Sequence, residues 1–143
     1  MSLALGMVVL CGYIHGVQVV AAGQDEREYC QLALSVVSAA HDVGSDWPHR
    51  PWTIVFQRER LFDADHDEMR AATSCSQHRI YVNWVWPRSI VHELRHARDC
   101  DAGPEHWRMS RDHAGPSWSC AFAKVEFEFS GYPVTWTSVC EGL

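Results

Sequence analysis

A pair of histidines four residues apart places the strongest constraint on how this chain folds. His92 and His96 stand in the segment SIVHELRHARDC (residues 89–100), with Glu93 directly after the first histidine. On an α-helix, residues at this spacing project about 40° apart, so both imidazoles can reach one point. The opposite side of such a helix is apolar: Ile90, Leu94, Ala97 and, at its edge, Val91. The segment therefore predicts an amphipathic helix that packs on a sheet and turns its histidines toward a cleft.

This histidine spacing suits a zinc ion. Zinc binds neutral imidazole nitrogens at roughly 2.0–2.1 Å, and His92 and His96 supply two of them. Glu93 lies about 100° further round the helix, which is too far for a comfortable third ligand. Its carboxylate is better placed to hydrogen-bond a water molecule at the metal. The pattern predicts a zinc site with Glu93 as the catalytic residue.

The remaining elements predict one α+β domain. The chain has 143 residues, a mass of 16.3 kDa and a net charge of −6, which fits a single domain and argues against a general nucleic-acid role. An acidic stretch, DADHDEM, is interpreted as a solvated loop. The expected order is an N-terminal helix, a short twisted sheet, the histidine helix, a loop with one turn near EHWRMS, and a C-terminal helix or strand. The boundaries are about 25–41 for the first helix, 53–57 and 79–84 for two strands, and 100–119 for the loop.

The N-terminal segment predicts export. Residues 1–22 are apolar up to Val20 and end in small residues, which fits a signal peptide cleaved after Ala22 and a domain over residues 23–143. The location would be secreted or periplasmic. An uncleaved membrane anchor is the alternative, because the apolar run is just long enough to span a bilayer.

Cysteine usage agrees with an oxidising compartment. Cleavage after Ala22 would remove Cys11 and leave five cysteines, which suggests two disulfides and one odd thiol. Cys100 and Cys120 bracket one polar loop, so their pairing is favoured.

The chain resembles the zincin metallopeptidases, in which a helix, a sheet and an HExxH helix follow in this order. The resemblance covers about residues 26–130 and rests on His92, Glu93 and His96. It implies that both histidines bind Zn²⁺, that Glu93 is the general base, and that the substrate is a peptide or protein. One departure is Arg95, at a position that is usually uncharged in these motifs.

The third zinc ligand has several candidates. In the segment FAKVEFEF, a helical reading puts Glu126 on the apolar face and Glu128 on the solvent side, whereas a strand leaves both solvated. A buried carboxylate needs a partner such as a metal. The glutamate-type zincins take their third ligand from a helix downstream of the motif, so Glu126 ranks first, ahead of Glu128, Asp99 and His113. Those enzymes usually carry an Asp four residues later, where this chain has Ser130.

The sequence thus predicts a small exported zinc metallopeptidase. A non-catalytic exported module stabilised by metal or disulfides is one alternative, and a zinc hydrolase of a non-peptide amide is another. Candidates for stabilising an oxyanion are His106, His113 and Tyr132, and the sequence does not choose among them.

Overall fold

A computed structural model describes residues 8–22, 26–43, 47–83 and 87–113. They form seven strands and three helices. The strands are β1 (Val8–Ile14), β2 (Val17–Ala22), β3 (Thr53–Gln57), β4 (Leu61–Phe62), β5 (Glu68–Met69), β6 (Ala71–Ser74) and β7 (Arg79–Val82). The helices are α1 (Glu26–Val43), α2 (Pro87–Ala102) and α3 (Pro104–Arg111).

Five of these strands form one mixed sheet in the order β1-β2-β3-β7-β6. The outer pairs, β1 with β2 and β6 with β7, are antiparallel, whereas β3 runs parallel to both of its neighbours. A parallel connection needs a crossover, and α1 supplies it between β2 and β3. Strands β4 and β5 pair separately around the acidic loop, where Asp63 Oδ1 accepts the backbone N–H groups of Asp65 and Asp67.

Helices α1 and α2 contact each other and the sheet, and the core is formed where the two helices and the sheet meet. In the middle strand β3 the three central residues, Ile54, Val55 and Phe56, are all buried, as expected of a strand that is covered on both faces. The apolar side predicted for the histidine helix is confirmed: Ile90, Leu94 and Ala97 are each at most 2% exposed and belong to the core. This packing fixes the rotation of α2, so its opposite side carries His92 and His96.

The α+β class, the first helix and the strand over residues 53–57 are confirmed. The loop predicted after Cys100 is wrong in part, because it contains the two-turn helix α3. Pro104 provides the reason: its fixed φ suits the first turn of a helix and starts α3 directly after Gly103. The C-terminal element predicted around residues 120–130 lies outside the described residues.

Residues 8–22, predicted to belong to a cleaved leader, form the β1–β2 hairpin. Val17 and Val19 are at most 1% exposed, and β2 pairs with both β1 and β3. Cleavage after Ala22 would remove two strands of the sheet, so this packing does not support the prediction of a cleaved signal peptide. Export itself stays a prediction.

No helix within the described ranges is long and apolar enough to cross a membrane.

Two disulfides join the described elements, Cys11 with Cys30 and Cys75 with Cys100. The predicted pairing of Cys100 with Cys120 is therefore wrong. Strand β6 packs on α2, which brings Cys75, just after the strand, to the last turn of that helix. Both bonds are compatible with an extracellular location. Cys120 lies outside the described residues.

Candidate metal centre

Three histidines converge on one side of α2. The Nε2 atoms of His92 and His96 lie 3.1 Å apart, and His113 Nε2 lies 3.0 Å from each of them. Tetrahedral zinc with nitrogens at roughly 2.0–2.1 Å separates its ligand atoms by about 3.3–3.4 Å. The three imidazoles thus match a metal-binding triangle to within a few tenths of an ångström, and the group can hold a metal ion.

His113 reaches the other two histidines because the chain reverses after α2. Gly103 has φ +126° and ψ 174°, a backbone conformation that is essentially restricted to glycine. Helix α3 then packs back on α2, and His113 follows its C-terminal end with φ +52°. The His113 backbone N–H donates to Ser110 O at 2.9 Å, which closes this last turn. The third histidine is therefore positioned by a helical hairpin.

Ser110 orients one of the three histidines. Its side chain is 1% exposed, and its Oγ lies 2.9 Å from His96 Nδ1. When Nδ1–H donates to this oxygen, the lone pair of the neutral ring is on Nε2, the atom that faces the other two histidines. Metal-binding histidines commonly use their second nitrogen in this way. The rings of Trp107 and His96 also form a T-shaped pair, with centroids 6.1 Å apart.

The surroundings keep two of these histidines neutral. Burial and the neighbouring His113 lower the pKa of His92 to about 4. Burial, together with repulsion from His92, His113 and Arg95, lowers the pKa of His96 to about 3. Both imidazoles are therefore unprotonated at neutral pH, as metal binding requires.

Glu93 is buried between α2 and the edge of the sheet, with 7% of its surface exposed. The hydroxyl of Thr73, on β6, lies 2.6 Å from Glu93 Oε2 and 3.2 Å from Glu93 O, and its single proton can serve one of them at a time. Burial raises the pKa of Glu93 to about 7, against the opposing effect of the Thr73 hydrogen bond. A carboxyl group that titrates near neutrality is suited to accept and return protons.

The other predicted ligands fall in different places. Asp99 is buried and pairs with Arg95, with Nε 3.3 Å from Oδ2, and among the described residues it does not belong to the group of ligand atoms that converges at the three histidines. Glu126 and Glu128 lie outside the described residues, and Glu126 as a ligand stays a prediction. His106 is exposed on α3.

Two residues of the centre were missed by sequence reasoning, Thr73 and Ser110. Neither carries a local signal, since isolated hydroxyl residues are common in loops and strands. A helical reading of PEHWRMSR would have placed Ser110 on the same face as Trp107, but not against His96.

The chain matches no protein-family model, no curated protein and no solved structure. Membership of the zincin metallopeptidases therefore stays a prediction that rests on His92, Glu93 and His96.

Proposed function

We propose that this chain is a zinc-dependent hydrolase of the HExxH type, acting on peptide bonds. The observation that carries the proposal is a buried carboxylate, Glu93, on the same helix as His92 and His96 and next in sequence to His92, whose Nε2 lies in a triangle of three histidine nitrogens. A site that only stabilised the fold would have no need of such a carboxylate, because burying it is costly. Perturbed groups of this kind concentrate at functional sites.

We infer that His92, His96 and His113 hold the ion. Three imidazoles favour zinc among the abundant divalent cations of the exported environment, where calcium and magnesium prefer oxygen ligands. Three protein ligands also leave a fourth position for a small molecule, which is typical of catalytic zinc. Glu126, the ligand that the sequence favours, is the alternative third ligand that the experiment must separate from His113.

In this proposal each residue has a separate role in hydrolysis. When bound by these histidines, zinc would supply a Lewis acid that polarises the carbonyl and lowers the pKa of water toward about 7. Glu93 would take the proton of the attacking water and return it to the leaving amine. Thr73 holds the Glu93 carboxyl group against β6, and Ser110 holds the ring of His96.

Metal binding is tested first. Metal-free protein is titrated with zinc, and affinity is measured by competition with a chelator. The parent should bind one zinc, and His92→Ala, His96→Ala and His113→Ala should each weaken binding by a factor of 10 or more. His106→Ala, exposed on α3, is the matched histidine control. If Glu126→Ala loses zinc and His113→Ala does not, the third ligand is the glutamate.

Catalysis is tested on a denatured protein mixture and on a quenched fluorescent peptide library. Glu93→Gln should keep its zinc and lose at least about 100-fold in hydrolysis, because general base catalysis is removed. Glu59→Gln, an exposed carboxylate, is the control. A parent that binds zinc and cleaves neither substrate would support the non-catalytic module. Cleavage of amides that are not peptides, with no cleavage of peptides, would support the alternative of a zinc hydrolase that acts on a non-peptide amide.

A further inference from the structure

A second group of metal-binding side chains lies at the C-terminal end of α2. His78, Cys100 and Asp101 each offer one ligand atom, and these atoms all lie within 4.8 Å of one another. His78 Nε2 is 3.9 Å from Asp101 Oδ1. Cys100 is bonded to Cys75, so the sulfur of a fourth residue lies at the same end of α2. Together, Cys75, His78, Cys100 and Asp101 form what we call the corner. This group shares no residue with the three-histidine centre.

The turn between β6 and β7 brings two of these residues together. The segment Cys75-Ser76-Gln77-His78 closes with the His78 N–H donating to Cys75 O at 3.3 Å. His78 adopts a left-handed φ of +51°, which ends the turn and directs its chain into β7. Ligands separated by two residues on a tight turn are the usual arrangement in structural zinc sites.

The carboxylate at this corner is held in place. Asp101 has a side chain that is only 6% exposed, and both its oxygens lie 3.1 Å from Nε1 of Trp52. The backbone N–H of Arg50 donates to Oδ2 at 3.3 Å. Trp52 itself is 1% exposed. Hydrogen bonds of this kind from rigid neighbours orient metal-binding carboxylates, whereas His78, 42% exposed at its side chain, leaves the corner open to solvent.

We propose that reduction of the Cys75–Cys100 disulfide creates a second zinc site, with Cys75, Cys100, His78 and Asp101 as ligands. Disulfide sulfurs are poor ligands, and thiolates are among the strongest that zinc has. A dithiol reductant gives two electrons and two protons to the S–S bond, yielding two thiols and its own disulfide. Each thiol then releases a proton as it binds the ion. The corner is therefore closed by a disulfide under oxidising conditions and by zinc under reducing conditions.

The probe is Co²⁺, because cobalt bound to thiolate gives a near-ultraviolet charge-transfer band that three histidines do not give. All variants carry Cys120→Ser and Cys140→Ser, so that thiols outside the described residues contribute nothing. The reduced protein should develop this band with one equivalent of cobalt beyond that held by the histidine centre, and zinc should abolish it. The oxidised protein should show none.

Reduction also opens the Cys11–Cys30 bond, so a second variant avoids the reductant. Cys75→Ser breaks only the bond at this corner and leaves Cys100, His78 and Asp101 as three ligands. It should show a weaker thiolate band, and adding His78→Ala should weaken cobalt binding by a factor of 10 or more. Cys75→Ser with Cys100→Ser, in which the same bond is broken and no thiol remains, is the matched control.

Circular dichroism follows the fold in every variant. The proposal is overturned if the reduced protein stays folded and shows no thiolate band. It is also overturned if His78→Ala leaves the thiolate band and cobalt binding unchanged. If both the reduced protein and Cys75→Ser are unfolded in the presence of cobalt, the proposal is also contradicted. A metal ion that binds only the folded protein would stabilise the fold.

Discussion

His96 Nδ1 lies 2.9 Å from the Oγ of Ser110, a residue fourteen positions later that is almost fully buried. The contact links the histidine helix to the helix that carries the chain to His113. It holds the His96 ring with Nε2 toward the other two imidazoles, and when Nδ1–H donates to the hydroxyl, the lone pair of the neutral ring is on Nε2. One hydroxyl thus stabilises both the orientation of the His96 ring and the packing of α3 on α2.

Ser110→Ala should therefore weaken zinc binding by roughly 10- to 100-fold, the usual cost of losing such a contact. Competition with a chelator measures this affinity. Ser76→Ala, which alters an exposed serine in the turn after β6, should leave it unchanged. Equal zinc affinity in Ser110→Ala and the parent would show that Ser110 has no part in orienting His96.

Thr73→Val should lower kcat/KM by about 10-fold while zinc content stays at the parent level. Valine has a similar shape but cannot hold the Glu93 carboxyl group, whose orientation controls proton transfer. Thr73→Ser restores the hydroxyl and should recover most of the activity. An unchanged kcat/KM in Thr73→Val would remove Thr73 from the mechanism.

The buried Glu93 predicts a pH-dependent stability of the metal-free protein. Because its pKa is raised from 4.5 to about 7 on folding, the folded state binds the extra proton, and stability is lost as pH rises from about 4.5 through 7. Glu93→Gln removes this loss and should be the more stable protein at pH 8, by up to roughly 3 kcal/mol. The difference should shrink toward zero below pH 4.5.

Urea unfolding of both metal-free proteins across this pH range checks the sign. The lowered pKa values of His92 and His96 act on both proteins at acid pH and cancel in the comparison. Glu59→Gln, at an exposed position, is the control. A parent that is as stable as Glu93→Gln at pH 8 would show that the carboxylate is hydrated.

Gly103→Ala should destabilise the folded protein by about 1–3 kcal/mol, since φ +126° with ψ 174° is strained for any residue with a Cβ. Among the described residues, no atom beyond Gly103 and its two chain neighbours lies within 4 Å of the added Cβ, so we expect the cost to come from the backbone. Zinc affinity should fall as well, because this turn positions α3 and His113. Thermal unfolding and zinc competition measure the two effects, with Glu105→Ala on the exposed side of α3 as control.

The N-terminal hairpin gives a matched pair of valines. Val19 is fully buried in β2, whereas Val8 is 65% exposed in β1. If residues 8–22 belong to the mature protein, Val19→Ala should lower the free energy of unfolding by about 2 kcal/mol and Val8→Ala by less than about 0.5 kcal/mol. Intact mass of the exported protein shows whether the segment is retained. Cleavage after Ala22 with a folded product would overturn the described packing of β2.

Local periodicity determined much of the fold in advance. The i, i+4 spacing of His92 and His96 opposite Ile90 and Leu94 can be satisfied only by a helix with one side in the core. The β-branched run TIVFQ similarly predicts a buried strand. These features depend on residues within one or two turns of each other, so the sequence alone reports them.

The apolar N-terminal segment shows where local information ends. A run such as VVLCGYIHGVQVVAA is equally compatible with a membrane-directed leader and with a buried hairpin, since both require apolar side chains. In the structure the left-handed backbone at His15 and Gly16 forms a turn, and the two halves pair as strands. The strand that pairs with β2 on its inner side is β3, more than thirty residues later, and no local sequence pattern predicts this pairing.

For the candidate metal centre too, some features follow from local sequence and others only from the tertiary structure. The sequence determined two histidines and a glutamate on one helix. Tertiary structure decided that His113 joins them, that Thr73 contacts Glu93 from twenty residues away, and that Cys100 pairs with Cys75. These proximities arise from how α3, β6 and α2 pack together, and packing energy is a property of surfaces that meet only once the chain has folded.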